Sequence, residues 1–306
     1  QEHWDRYNHE EINLPSVNYI PYEKLDPHSQ RLRHCYMTHE YSGEDVKNAR
    51  RAYYGQISYV DDKIGSLLKA LDDSGLREDT IIILTADHGD MLGEKGLWYK
   101  MSFFEWSARV PFIINAPSRF DAARINQHVS LVDLLPTLVD LASQEEKPEQ
   151  VAPLDGQSLI PLMQGKEDLS DRVVVSEFLG EGAIAPCFML RNGKYKYIYS
   201  EPDPPQLYDL ETDSKELNNL AGNSDFQQVE EGFYHYLMQD WDIQKIKQDV
   251  LDSQKRRHMV FKSHMQGQHT PWDFQPHENA AQRYMRNHLD LNDVESLSRI
   301  PSKNKK

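Results

Sequence analysis

Apolar residues recur at alternating steps of four and three from Tyr53 through Ile57, Val60, Ile64 and Leu67 to Leu71, a period that gathers them on one face of a helix. Ser42, followed three residues later by Asp45, has the pattern of a capping box at the start of that helix, and Gly75 is suited to stop it. The apolar run 80–85 then reads as a buried strand, and 110–115 as another. Helix, glycine and strand in that order are the αβ half of a β-α-β unit. Residues 130–142 predict a further helix, kinked at Pro136.

The pattern changes after residue 143. The acidic, polar segment 143–152 reads as an exposed connection, and beyond it come short strands over 173–178, 187–190 and 194–199. Asn192-Gly193 joins the last two as a hairpin signal, because both residues tolerate positive φ. Residues 207–210 add another strand. Phe226, Val229, Phe233, Leu237 and Trp241 form the apolar face of a helix, and the charged run after it reads as its solvated end. Residues 1–33 are polar, punctuated by proline and aperiodic, which places them over the surface. From His264 onward periodicity is also absent, and a tail without its own core needs something to lie on.

This organisation predicts an α/β chain. Residues 1–145 form the C-terminal half of a doubly wound sheet domain, 146–263 a small antiparallel α+β subdomain, and 264–306 an extended tail. Composition narrows the function. Hydrophobic residues make up 39% of the 306, enough for a core, and no run approaches membrane-spanning length. A net charge of −15 lacks the basic stripe that a nucleic-acid surface needs, and it tolerates a cationic or zwitterionic substrate. Two widely separated cysteines, Cys35 and Cys187, are no disulfide framework and favour a reducing, cytoplasmic setting.

The candidate chemistry lies where the strand 80–85 stops at adjacent Asp87 and His88. In open α/β sheets, ligands and metals collect outside the carboxyl ends of the strands. Lys100 follows in the same loop region, so a metal-ligand pair with a nearby cation suits an anionic ester. Asp-His-Gly also fits an ordinary turn. Glu177 ends the apolar run 173–177, where it either points from a strand end into a pocket or lies on an edge strand at the surface. Asp61 and Asp62, opposite the apolar face of the long helix, read as solvated surface. His264, His269, His277 and His288 match no regular metal spacing.

The longer string DHGDMLGEKGLWYK, 87–100, continuing into EWSARVPF, resembles the metal-binding and sulfate-contacting segment of type I sulfatases in the alkaline phosphatase superfamily. HVSLVDLLPTLVDLA, LDGQSLIPLMQG and QLYDLETDSKELNNLA resemble further sulfatase segments and come in the sulfatase order. Within that family, the stretch from YIPYEKLDPHSQRLRHCYMT to VDDKIGSLL and the stretch PWDFQPHENAAQRYMRNHLDLNDVE are similar to choline sulfatases. The nucleophile motif C/S-x-P-x-R is missing: Cys35 sits in HCYMT and Cys187 in PCFML. The sequence thus reads as the C-terminal portion of such an enzyme, with half of an active site.

The resemblance implies hydrolysis of a small-molecule sulfate ester, choline-O-sulfate above others, with a formylglycine nucleophile on the other half. It implies one divalent metal held in part by Asp87 and His88, a sulfate contact from Lys100, and Glu177 as counter-ion to a quaternary ammonium. Calcium prefers oxygen ligands, whereas coordination through the His88 imidazole favours Mn²⁺, so both metals stay open. It further implies a homo-oligomer that exchanges C-terminal tails, docked through 283–293, with Asp290 lining a neighbouring subunit's pocket. A phosphate or phosphonate ester hydrolase of the same superfamily, a noncatalytic oligomerising remnant and a shortened piece of an enzyme are the alternatives.

Overall fold

The computed structural model describes residues 1–143 and 152–267. It begins with a short helix α1 (Glu2–Asp5), two 3-10 turns and α2 (Pro27–Cys35). Asp26 caps α2 by accepting the Ser29 N–H at 3.0 Å, and Pro27 takes the first-turn position where no N–H is needed. The N-terminal segment is not the surface strap expected from its polarity. Ile12, Val17, Leu25 and Leu32 are buried, and Arg33 is buried with them. Single apolar anchors at irregular spacing hold it down, which periodicity does not register.

Helix α3 (Gly43–Ser74) follows the sequence expectation at both ends. Ser42 accepts the Asp45 N–H at 3.1 Å, and Gly75 closes the helix with φ at +70°. Asp62 is not idle surface, however. Its carboxylate takes two hydrogen bonds from Arg6, at 3.1 and 2.6 Å, and one contact from His3 at 2.8 Å, which fixes α1 along α3. The apolar stripe of α3 keeps Ile57, Val60 and Leu67 more than half exposed among the described residues.

Strand β1 (Ile82–Thr85) leads through a 3-10 turn and the short helix α4 (Glu105–Ala108) to β2 (Phe112–Asn115). The two strands pair antiparallel, from Ile82 opposite Asn115 to Thr85 opposite Phe112. The expected doubly wound sheet thus appears here as one antiparallel pair, because no long crossover helix separates the strands and the chain returns along its own edge. Next come a 3-10 turn at Leu131–Asp133, α5 (Leu134–Ala142) and α6 (Ile160–Met163). Pro136 does not kink a longer helix as its position suggested. It lies in the first turn of α5, directly after the 3-10 turn.

A second sheet is a four-stranded antiparallel meander of β3 (Val174–Phe178), β4 (Cys187–Asn192), β5 (Tyr195–Ser200) and β6 (Gln206–Asp209). Asn192 pairs with Tyr195, so the hairpin loop is Gly193-Lys194, one residue later than expected, with Gly193 at φ +48°. Helix α7 (Gln227–Asp240) lies on one face of this sheet: the Tyr197 and Phe233 rings stack with centroids 5.7 Å apart, and Leu237 is fully buried. The charged run beyond α7 is a helix of its own, α8 (Ile243–His264), started by Asp242 accepting the Lys245 N–H at 2.9 Å. The chain divides into two units, Gln1–Trp241 and Asp242–Lys306, so both sheets fall in the first.

Candidate active site

Strand β1 ends at Thr85, and two residues later the Asp87 side chain stands 85% exposed at the strand mouth. Asp87 Oδ1 accepts the His88 N–H at 3.0 Å, which turns the carboxylate back over its neighbour. His88 Nδ1 lies 2.8 Å from the Gly89 carbonyl oxygen. A carbonyl only accepts, so Nδ1 carries a proton, and Nε2 is left on the outer edge of the ring. Nε2 is 3.2 Å from Asp87 Oδ2. Two acceptors approach that closely only around a shared proton or a cation. An imidazole oriented through Nδ1 by a backbone carbonyl is also the usual arrangement of a metal-binding histidine.

The pair therefore fits part of a divalent-cation site. Among the described residues no third histidine, cysteine, aspartate or glutamate joins it to make a group of three. Asp90, which the sequence reading passed over, lies just behind. It accepts the Leu92 N–H at 2.8 Å, is bonded by the Tyr99 backbone, and interacts electrostatically with His88 and Lys100. Burial pushes its carboxyl above the ordinary aspartate range against those pulls. The signal was available in the string DHGD, as an acidic residue one turn beyond the ligand pair.

Lys100 reaches this neighbourhood on a tightly wound loop. Leu92, Gly93, Lys95, Gly96 and Tyr99 all adopt positive φ, a concentration of unfavourable backbone that persists only where surrounding contacts over-determine it. Those contacts are buried charges. Glu94 accepts from the Ser16 N–H at 2.9 Å, the Ser16 hydroxyl at 3.0 Å and the Val17 N–H at 2.8 Å. Arg50 donates to the Leu92 carbonyl at 2.9 Å, and Arg33 to the Lys95 carbonyl at 2.6 Å. Ser107 closes the ring: its carbonyl accepts the Gly89 N–H at 2.8 Å and its hydroxyl donates to the Lys100 carbonyl. Lys100 itself is exposed.

A cleft of about 1110 Å³ opens from Asp87 along β2 toward the second sheet, with Arg109, Arg191 and Lys196 on its walls. On β3 it is Ser176, not Glu177, that lines this cleft, because successive strand residues face opposite ways. Glu177 turns to the α7 side and accepts the Trp241 indole N–H at 2.6 Å, next to the T-shaped Phe188–Trp241 pair. The structure thus brings Asp87, His88 and Lys100 into one loop system and leaves Glu177 on the other face. Asp290 and the docking segment 283–293 lie outside the described residues.

Three family models match the chain: "Sulfatase" over residues 10–144, "N-sulphoglucosamine sulphohydrolase, C-terminal" over 93–242, and "Choline sulfatase enzyme C terminal" over 248–300. The choline-sulfatase of Rhizobium meliloti (strain 1021) is 41% identical over 304 residues, covering 97% of this chain and 58% of that protein. The chain thus spans somewhat more than half the length of that relative. A phosphonate monoester hydrolase of Agrobacterium radiobacter is similar in structure, with TM-score 0.59 and 30% identity over 65% of this chain and 42% of the other. A 2-O GAG sulfatase is similar with TM-score 0.59 and 27% identity, covering 79% of this chain and 55% of the other.

Proposed function

Because the chain belongs to the sulfatase family, we propose that the enzyme containing it hydrolyses sulfate esters, with choline-O-sulfate as substrate. The observation that carries this reading is the 3.2 Å approach of Asp87 Oδ2 and His88 Nε2 at the mouth of β1, beside the loop that returns with Lys100. The 41% identity to a choline-sulfatase supports the choice of substrate.

In this reading Asp87 and His88 hold part of a divalent metal, Ca²⁺ or Mn²⁺, which supplies Lewis acidity and charge neutralisation when bound. Asp87 contributes the anionic donor. His88 contributes Nε2, on a ring oriented by the Nδ1–H bond to the Gly89 carbonyl. Lys100 presents an ammonium to a sulfate oxygen, where it stabilises charge that grows as the ester bond breaks. A formylglycine nucleophile belongs to a C/S-x-P-x-R segment, a motif that these 306 residues do not contain.

Recognition of the cationic head group is assigned to Glu177 on its chemistry, a carboxylate 2.6 Å from an indole, since quaternary ammonium groups bind aromatic faces and carboxylates. That assignment has its own test, because Glu177 does not share the Asp87 cleft. Tail exchange between copies through 283–293, with Asp290 at a neighbouring pocket, belongs to the same proposal. The likeness to a phosphonate monoester hydrolase supports a second reading, a phosphonate or phosphate ester substrate at the same Asp-His pair.

The deciding experiment assays choline sulfate, a neutral aryl sulfate and a phosphonate monoester with the metal-loaded full-length enzyme and with the 306-residue chain alone. The full-length enzyme should prefer choline sulfate. The isolated chain should show no turnover, and metal-dependent hydrolysis by it would overturn the nucleophile assignment.

A further inference from the structure

The loop that presents Lys100 at an exposed crest is held on both flanks by charges from the second sheet and the turn after it. Lys196, on β5, is fully buried, and its ammonium meets three acceptors: Glu216 Oε1 at 2.8 Å, Glu105 Oε1 at 2.6 Å and the Phe103 carbonyl at 2.8 Å. Glu216, 1% exposed, uses its second carboxylate oxygen to accept the Glu105 N–H at 2.8 Å. The Lys95 ammonium donates to the carbonyl oxygen of Glu216 and lies 4.5 Å from the centre of the Phe104 ring. Lys95 precedes Lys100 in the loop; Phe103 and Glu105 follow it. Both flanks therefore converge on one Lys196–Glu216 pair from a separate part of the chain.

Electrostatics show how closely these groups depend on one another. Burial pushes the Glu216 carboxyl up and the Lys95 ammonium down. Burial also acts to raise Glu105, but Lys196, by charge and hydrogen bond, outweighs it and holds that carboxyl below the ordinary glutamate range. A set of ions like this is a poor device for stability, since packed apolar groups of the same volume do as well or better. What ions provide is direction: two of these bonds fix backbone atoms of the loop, the Phe103 carbonyl and the Glu105 N–H, and the others hold the side chains of Lys95 and Glu105.

We propose that Lys196 and Glu216 are positioning residues for Lys100, fixing the two flanks of its loop so that the ammonium is carried at one point of the loop system that Ser107 ties to the Asp87-His88 turn. The inference rests on the reading of Lys100 as the sulfate contact. It makes the small C-terminal sheet a working part of the active site without any of its residues touching the substrate.

The test is a double-mutant cycle in the full-length, metal-loaded enzyme with choline sulfate, using Glu216→Gln, Lys100→Ala and the two combined. Glu216→Gln should lower kcat roughly 10- to 100-fold, the scale expected of a misplaced catalytic group, while KM and bound metal stay near their normal values. In the Lys100→Ala background the same change should have no further effect on kcat. Glu105→Gln, at the partly exposed edge of the cluster, is the second variant and should follow the same cycle if Glu216→Gln does not fold. Losses that multiply in the combined variant, or a loss of metal in Glu216→Gln, would overturn the positioning role while leaving Lys100 as the sulfate contact. Normal turnover in Lys100→Ala would overturn that reading and the positioning role with it.

Discussion

The carbonyl oxygen of Trp106 occupies the place where a side chain on Gly89 would begin: a Cβ built on Gly89 would lie 2.0 Å from it. The absence of that atom lets the turn after His88 lie against α4, where the Gly89 N–H reaches the Ser107 carbonyl at 2.8 Å. Asp87, His88 and Lys100 are held in one loop system through this contact, since Ser107 also bonds the Lys100 carbonyl.

Gly89→Ala should therefore damage the site from within. The added methyl group must push the Trp106 carbonyl away, and overpacking of this kind costs about 1–3 kcal/mol. Thermal unfolding should register that loss, and turnover should fall further than stability does. An alanine variant with full activity would show that the close approach is not required.

Asp87→Ala and Lys100→Ala should separate two roles in the full-length enzyme. The first removes an anionic ligand and should lower metal content. The second should keep the metal and slow turnover by roughly 10²-fold or more if Lys100 stabilises developing charge. Metal analysis alongside kcat distinguishes them, and equal metal loss in both would merge the roles.

Stability at low pH should depend on Asp133. Its carboxylate is fully buried and accepts two hydrogen bonds from Arg172 at 2.8 Å, with others from the Ser130 and Gln157 N–H groups. Burial acts to raise its pKa, but these bonds outweigh it and hold it below the ordinary aspartate value. The folded value is thus depressed, so the pair stabilises the fold above the unfolded pKa of about 3.9 and stops doing so as pH falls through the folded value. Asp133→Asn should lower stability at neutral pH by about 3–5 kcal/mol, the cost of breaking a buried pair, and flatten the acid limb of the stability curve. Unfolding in denaturant from pH 7 to pH 3 measures both.

Glu177→Gln keeps the shape of the Trp241 contact and removes its charge. If the carboxylate recognises a trimethylammonium group, KM for choline sulfate should rise about tenfold while a neutral aryl sulfate is little affected. An equal fall in kcat/KM for both substrates would leave Glu177 as the acceptor for Trp241 and nothing more.

Local sequence determined the elements whose cause is local. Helix α3 runs from the Ser42 cap to Gly75 because capping and a regular apolar stripe are properties of neighbouring residues. The end of β1 just before Asp87-His88 was legible for the same reason, as an apolar run meeting two ligand-type side chains. The burial of Glu94, Lys95, Lys196 and Glu216 was not legible, because a charged residue in a loop or on a strand carries no local mark that it will be buried. They are buried because partners up to 121 positions away along the chain supply hydrogen bonds and charge, as when the Lys95 ammonium donates to the Glu216 carbonyl. Strand parity at Ser176 and Glu177 was undecided for a related reason: alternation fixes that the two face opposite ways, but only the packing of α7 on one face of the second sheet decides which of them looks into the Asp87 cleft.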